Sequence, residues 1–397
     1  MKDFNYYAPT RVVFGRQSEE KLPQLLHEFG AHKVLIHYGG GSARRSGLLD
    51  KVEQMLQTDG MPFVELGGVV PNPLLSKVKE GIALARKEKV DFILAVGGGS
   101  VIDSSKAIGY GVPYEGDVWD FWTGKAKAKT VVPVGTILTI PAAGSEMSSS
   151  CVITRDEDKS KRGCNSDLCR CKFAIMNPER TFTLPPYQTA AGATDIMMHT
   201  MERYFSKYQD MTLTDALAEA LMRTVKDAVF EVLKDPKDYR NRAQIMWAGS
   251  LSHNDLMECG SEKDFATHKL EHELSAMFGV THGAGLAALW PSWARYVLQD
   301  EANVPRFVQF AVNVMGITND FTSPRHTAEL GIEAMETFYH QIGMPTSIKE
   351  LLNGHVLSLE EIDELVRKCS HDGTITLGSI MKIDADDMRN IYNMAKE

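Results

Sequence analysis

Residues Asp91-Phe92-Ile93-Leu94-Ala95-Val96 run straight into Gly97-Gly98-Gly99-Ser100, and from there into the amphipathic pattern Val101-Ile102-Asp103-Ser104-Ser105-Lys106-Ala107-Ile108-Gly109. A nearly continuous apolar run is what a strand buried on both faces requires, and such strands belong to parallel sheets covered by helices. The glycines let backbone N–H groups approach an anion, and a helix starting at Ser100 adds its unpaired N–H groups and the positive end of its dipole. The segment therefore reads as a phosphate cradle. Its spacing is neither the dinucleotide fingerprint nor the Walker loop, and on its own a glycine triple after a strand is equally an ordinary tight turn.

The rest of the chain extends this pattern. Short β-branched runs at 12–14, 33–38, 62–66, 91–96 and 136–140 read as strands, with 173–176 as a last one. Helical patterns at 18–29, 48–57 and 74–89 separate the early ones, and this alternation implies a Rossmann-like parallel sheet. Asn177-Pro178 and Leu184-Pro185-Pro186 interrupt any regular element. Beyond them, 189–204, 213–233, 239–254, 265–278 and 283–298 carry the 3.6-residue period almost without strand signal. The expected organisation is an α/β domain over 1–185 followed by an all-α domain over 186–397, each large enough to bury a core.

Composition narrows the class. The hydrophobic fraction of 43% is that of a globular protein, and a net charge of −9 disfavours nucleic acid or an anionic membrane as partner. The opening Met1-Lys2-Asp3-Phe4-Asn5-Tyr6-Tyr7 has no apolar signal core, so a cytoplasmic protein is expected. Six cysteines in such a chain are expected to be reduced thiols. Cys151, Cys259 and Cys369 stand apart, whereas Cys164, Cys169 and Cys171 cluster. Three thiols without a Cys-x-x-Cys pair favour an adventitious redox-sensitive patch over a thiolate metal site.

Histidines supply the sharper chemistry. Asp195 and His199 lie four residues apart in a helical segment, as do His268 and His272 in a second, and His282 follows in Thr281-His282-Gly283. Residues four apart share a helix face, so each pair can point at one ion. Imidazoles with a carboxylate suit zinc or ferrous iron, whereas magnesium and calcium prefer oxygen cages. Any one of the twelve histidines is more often a hydrogen-bonded core or surface residue, and it is the combination that carries the metal reading.

Pro71-Asn72-Pro73, the Ala95-to-Ser100 loop with Asp103, Gly144-Ser145-Glu146, and the Asp195/His199/His268/His282 set occur in one order along the chain. In that order they resemble the iron-containing (group III) alcohol dehydrogenases, and within them the NADPH-dependent butanol dehydrogenase and aldehyde reductase branch. The resemblance runs from Tyr6 and Phe14-Gly15 nearly to the C-terminus. It implies a nucleotide-binding Rossmann-like domain joined to a helical metal-binding domain, the dehydroquinate synthase-like architecture. It also implies a divalent metal, Fe2+ with Zn2+ as the alternative, held by Asp195, His199, His268 and His282. Asn72, Gly98, Gly99, Ser100, Asp103, Thr139 and Lys161 match positions that line the cofactor, Thr139 and Lys161 less closely because Pro141-Ala142-Ala143-Gly144 departs from the commoner threonine-rich version.

The resemblance further bears on which nicotinamide is used. NAD-using relatives tend to place an aspartate where Gly39 opens Gly39-Gly40-Gly41-Ser42, so its absence favours NADP(H). Ser42, Arg44 and Arg45 either donate to the 2′-phosphate or, in the case of the arginines, are solvated surface charges. His272 is implied to face the nicotinamide, as a proton relay or as a structural residue. The implied activity is metal-dependent hydride transfer between primary alcohols and aldehydes of the butanol/butanal kind, by a homodimer whose other partner is only the small-molecule substrate. A glycerol-dehydrogenase-type NAD-dependent polyol dehydrogenase and a dehydroquinate-synthase-type lyase are the alternatives, the ligand set arguing against the lyase. A non-catalytic metal or redox sensor would leave the phosphate cradle without purpose. Trp247, Phe265 and Trp290 either line a pocket or fill the helical core, the core being the expected place.

Overall fold

The computed structural model describes residues 1–397. They form two compact units, one of residues 7–183 and one of residues 184–397 joined by 1–6. The first unit carries eight strands: β1 (Arg11–Phe14), β2 (Val34–Gly39), β3 (Phe63–Val69), β4 (Phe92–Gly97), β5 (Val134–Leu138), β6 (Ser150–Thr154), β7 (Lys161–Asn165) and β8 (Phe173–Met176). Six of them make one parallel sheet in the order β1-β8-β5-β4-β2-β3. The helices of this unit are α1 (Leu22–Glu28), α2 (Ser42–Arg45), α3 (Leu48–Asp59), α4 (Leu75–Glu88) and α5 (Gly99–Gly111). β4 is buried at every position, as its apolar run requires. The chain leaves β2 toward β3 on one side and resumes at β4 on the other, so the strand order reverses between β2 and β4. Open α/β sheets bind ligands at the carboxyl ends of strands flanking such a reversal.

A hairpin absent from the sequence reading, β6 paired antiparallel with β7, lies outside the main sheet and sets Cys151 opposite Cys164. Polar partners hold it in place. The ammonium of Lys106, only 1% exposed, donates to the carbonyls of Ser145, Ser148 and Ser150 at 2.7, 3.0 and 2.8 Å. The Cys151 thiol donates to the Asp103 carbonyl at 3.1 Å. All six cysteines are free thiols, and burial pushes Cys164 up to about 11 and Cys171 up to about 12. Cys169 and Cys171 are buried in the packing, whereas Cys164 is partly exposed; a thiol held protonated is a weak nucleophile.

The second unit is helical: α6 (Pro186–Tyr204), α7 (Thr212–Lys234), α8 (Tyr239–Ser252), α9 (Ala266–Phe278), α10 (His282–Val297), α11 (Val304–Asn313), α12 (Pro324–Gln341), α13 (Ile348–Leu351), α14 (Leu359–Cys369) and α15 (Ala385–Ala395). α6 is buried around its whole circumference from Thr189 onward, as a helix at the centre of a large core must be. Trp290 does fill that core at 1% exposure, whereas Trp247 is 38% exposed and lies outside it. The first six residues belong here rather than to the α/β unit. Lys2 donates its backbone N–H to Gly260, the Met1 amine pairs with Asp210, and Asn254 Nδ2 donates to the Tyr6 hydroxyl. No helix is long and apolar enough to cross a membrane.

His37 on β2 is a satisfied core histidine: one ring nitrogen donates to the Leu66 carbonyl at 2.8 Å and the other accepts from the Ser104 hydroxyl at 2.8 Å. Burial lowers its pKa from 6.5 to about 4. Between those values the unfolded chain binds the extra proton, so stability falls as pH falls through this window. The α/β unit should lose up to about 3 kcal/mol from this group between pH 6.5 and 4. Urea unfolding at a series of pH values should show the steeper slope in the wild type and a flatter one in His37→Gln.

Candidate functional site

At the carboxyl end of β4, α5 begins at Gly99 with Gly98 in an extended conformation, leaving first-turn N–H groups without helical partners. The glycines are steric requirements here. A Cβ on Gly97 would lie 2.5 Å from Val101 Cγ2, and one on Gly99 would lie 3.0 Å from the Ala143 side chain. Thr139, just past β5, donates its N–H to the Gly97 carbonyl at 3.0 Å. At the end of β2, Gly41 has φ 117°, which favours glycine, and α2 starts at Ser42. The structure thus gathers Gly39, Gly98, Gly99, Ser100 and Thr139 at the carboxyl ends of three neighbouring strands. Asn72, at φ 55°, turns the chain between its two prolines, and Lys161 starts β7 opposite Thr154.

Arg44 and Asp103 are both engaged within the α/β unit. Arg44 is tied to Asp50 at 3.0 Å, to Glu65 at 2.6 Å and to Glu53, and its guanidinium lies over the Tyr38 ring, so of the two arginines only the exposed Arg45 is disengaged from such a carboxylate network. Asp103 already accepts from the Ser145 hydroxyl at 2.5 Å and the Val152 N–H at 2.9 Å. It braces α5 against β6.

In the helical unit Asp195 is a hub. Its Oδ1 lies 3.3 Å from His199 Nδ1, 3.7 Å from His268 Nε2 and 3.8 Å from His282 Nε2. Asp195, His268 and His282 each offer a donor atom within 4.8 Å of the others'. His199 stands beside Asp195 but outside that set of three; its ring centroid is 4.1 Å from that of His253, a histidine the sequence reading passed over. Phe265 packs on this cluster, 4.9 Å from the His268 ring, rather than in the distant core. His272, one turn after His268, has its ring 5.6 Å from that of His282 and forms a second convergent set with Glu271 and His282.

Donor atoms bound at about 2 Å to a common ion stand roughly 3–4 Å apart, the separation found around Asp195. Asp195 Oδ1, His199 Nδ1 and His268 Nε2 are buried without a hydrogen-bond partner. Burial opposes the charge on Asp195, but the imidazoles of His199, His282 and His268 outweigh it and hold the carboxyl well below the usual range. Burial drives His199 well below its ordinary value. For His268 burial acts the same way and is overruled by Asp195 and Glu202, so its pKa rises. The side chains of Asp195, Glu202 and Glu271 are 5%, 2% and 0% exposed. Arg203, the buried cation nearby, has its guanidinium 3.8 Å from Asp255 and 3.6 Å from Glu258. Buried carboxyl groups in such number need a compensating cation, and a divalent ion at Asp195 fits the donors present.

Sequence comparison agrees with the geometry. Residues 9–178 match the family described as iron-containing alcohol dehydrogenase, and residues 189–396 match the Fe-containing alcohol dehydrogenase family, C-terminal. The chain belongs to the iron-containing alcohol dehydrogenase family. It is 38% identical over 395 residues, 99% of both chains, to NADH-dependent butanol dehydrogenase A of Clostridium acetobutylicum. It is 36% identical over 401 residues, 100% of both chains, to the NADPH-dependent aldehyde reductase YqhD of Escherichia coli. The crystal structure of NADH-dependent butanol dehydrogenase A from Thermotoga maritima superposes with a TM-score of 0.94 at 36% identity, covering 100% of this chain and 99% of that one. The polyol-dehydrogenase and lyase alternatives are not favoured by these relatives.

In this alcohol dehydrogenase the ligand spacing depends on one helix crossing. A Cβ on Gly283 would sit 2.0 Å from the Ala191 carbonyl oxygen, so α10 can lay His282 against α6 only because residue 283 is glycine. Gly283→Ala should cost about 1–3 kcal/mol by overpacking and pull His282 away from Asp195. Urea unfolding and divalent-ion titration should both register the change, and unaltered ion binding would show that the crossing does not set the spacing.

Proposed function

We propose that the protein interconverts short primary alcohols and aldehydes, butanal being the test substrate, with NADP(H) and a divalent metal, Fe2+ by family and Zn2+ as the alternative. The observation that carries this reading is the convergence of Asp195, His268 and His282, whose donor atoms lie within 4.8 Å of one another, with Asp195 Oδ1 and His268 Nε2 buried without a hydrogen-bond partner. Asp195, His199, His268 and His282 are the proposed ligands. An ion bound there supplies Lewis-acid polarisation of a carbonyl oxygen, and the nicotinamide supplies hydride. The protein's part is to bind and orient. Gly98, Gly99 and Ser100 present backbone donors to the pyrophosphate, while Gly39 to Ser42 and Asn72 border the nucleotide. Thr139, Lys161 and Asp103 belong to the same proposed lining, Asp103 also bracing α5 against β6. His272, buried beside His282, is the proposed group that holds and passes the proton at a ring nitrogen. A homodimer and a cytoplasmic location are part of the same reading.

Relatives divide on the nicotinamide, being named NADH-dependent in one case and NADPH-dependent in another. Gly39 supports NADP(H), because no carboxylate there repels a 2′-phosphate. A Cβ on Gly39 would meet Val69 O at 3.4 Å and Val101 Cγ2 at 3.7 Å, ordinary contacts, so a side chain can start there without a clash. Gly39→Asp should move the NADPH/NADH ratio of kcat/KM toward NADH by roughly tenfold to a hundredfold, about 1–3 kcal/mol. A wild type that already prefers NADH would end the argument from Gly39.

Butanal reduction followed by NADPH absorbance tests the whole reading. Asp195→Ala should abolish turnover and metal content while nucleotide binding survives, because the cradle is built by the other unit. His272→Asn should keep the metal and slow turnover, with an altered pH–rate profile. An unchanged profile at unchanged metal content would leave His272 a scaffold residue.

A further inference from the structure

Two of the proposed imidazole ligands share an arrangement. His268 Nδ1 faces Glu202 Oε1 at 3.0 Å, and the same oxygen accepts the His268 backbone N–H at 3.0 Å. His282 Nδ1 is hydrogen-bonded to Glu271 Oε2, while Glu271 Oε1 accepts from the Ser275 hydroxyl. In both, the nitrogen turned away from the glutamate, Nε2, is the one that faces Asp195 Oδ1, at 3.7 and 3.8 Å. A carboxylate at Nδ1 makes that nitrogen the protonated one and leaves the Nε2 lone pair for an ion. His199 has no such backing, since its own Nδ1 faces Asp195. Steric room around Glu271 is also fixed: a Cβ on Gly285 would lie 2.7 Å from its Oε1, so α10 carries a glycine where the carboxylate sits.

Glu271 belongs to a second convergent set with His272 and His282, and its hydrogen bonds decide its role. Both of its oxygens already accept, from Ser275 and His282, whereas Asp195 Oδ1 is buried and unpartnered. A carboxylate engaged at the far nitrogen of an imidazole orients that ligand, as Glu202 and Glu271 do, whereas one whose oxygen faces the three imidazole nitrogens, as Asp195 Oδ1 does, serves as the ligand.

We infer that Glu202 and Glu271 are positioning residues that fix the tautomer and ring orientation of His268 and His282 toward the metal. This rests on the metal reading given above. Each also adds a buried negative charge that raises the basicity of its imidazole and the affinity for a cation.

Equilibrium titration of the chelator-stripped, full-length protein with Co2+, read by its visible absorption, tests the assignment. Wild type should take up about one ion per chain. Glu202→Gln and Glu271→Gln, which keep the shape of the side chain, should each weaken Co2+ affinity by about 10- to 100-fold and alter the absorption band. Without metal, the same variants should unfold at or above the wild-type temperature, since a buried negative charge lacking its cation has been removed. A merely structural role would lower that temperature and leave the affinity of the folded protein unchanged, which would overturn the inference. Should a glutamine variant not fold, Ser275→Ala frees one oxygen of Glu271 and should weaken binding in the same direction by less; unchanged affinity there overturns the assignment of Glu271. Failure of the wild type to bind Co2+ would overturn the metal reading itself, a result distinct from equal binding by wild type and variants.

Discussion

The carboxyl groups buried around Asp195 are the constraint on which the helical unit is organised. Asp195, Glu202 and Glu271 are at most 5% exposed, and groups of that kind persist in a core only when something compensates them. Helix α6 carries Asp195, His199 and Glu202 on successive turns, so one helix supplies the hub, one neighbouring imidazole and one orienting carboxylate. Helix α9 then contributes His268, Glu271 and His272, and α10 contributes His282 as its first residue. Burial of α6 on all sides fixes the axis on which these donors converge.

In the α/β unit the buried groups behind the glycine loop find their partners within the unit. His37 bridges Leu66 and Ser104, Lys106 gathers three carbonyls, and Asp103 ties α5 to β6. These contacts hold α5 and the 145–150 loop in place around a helix N-terminus whose glycines have no room for side chains. The start of α5 is thus closely packed on the side of its glycines.

Much of this could be read from the residues alone, because period 2 and period 3.6 patterns report burial directly. The six parallel strands and the first five helices of the second half fall where the apolar spacing puts them. The β6–β7 hairpin escaped because Lys161-Arg162-Gly163-Cys164-Asn165 has no apolar alternation and is held by tertiary partners. Glu202 and Glu271 escaped because a glutamate on a helix is ordinarily solvated, and only the fold turns these two inward. The partners of Arg44 were not legible for the converse reason: the carboxylates that engage it, Asp50, Glu53 and Glu65, come from α3 and β3. The first six residues carry no pattern of their own, and their place is set by Gly260, Asp210 and Asn254 of the helical unit.

The most direct measurement is anomalous diffraction at a metal absorption edge from crystals grown with Fe2+ or Zn2+ under exclusion of oxygen. The account predicts a single strong peak within coordination distance of Asp195 Oδ1, His268 Nε2 and His282 Nε2, with Glu202 and Glu271 hydrogen-bonded behind the imidazoles. A peak held by Glu271 and His272, or none beside Asp195, would contradict it.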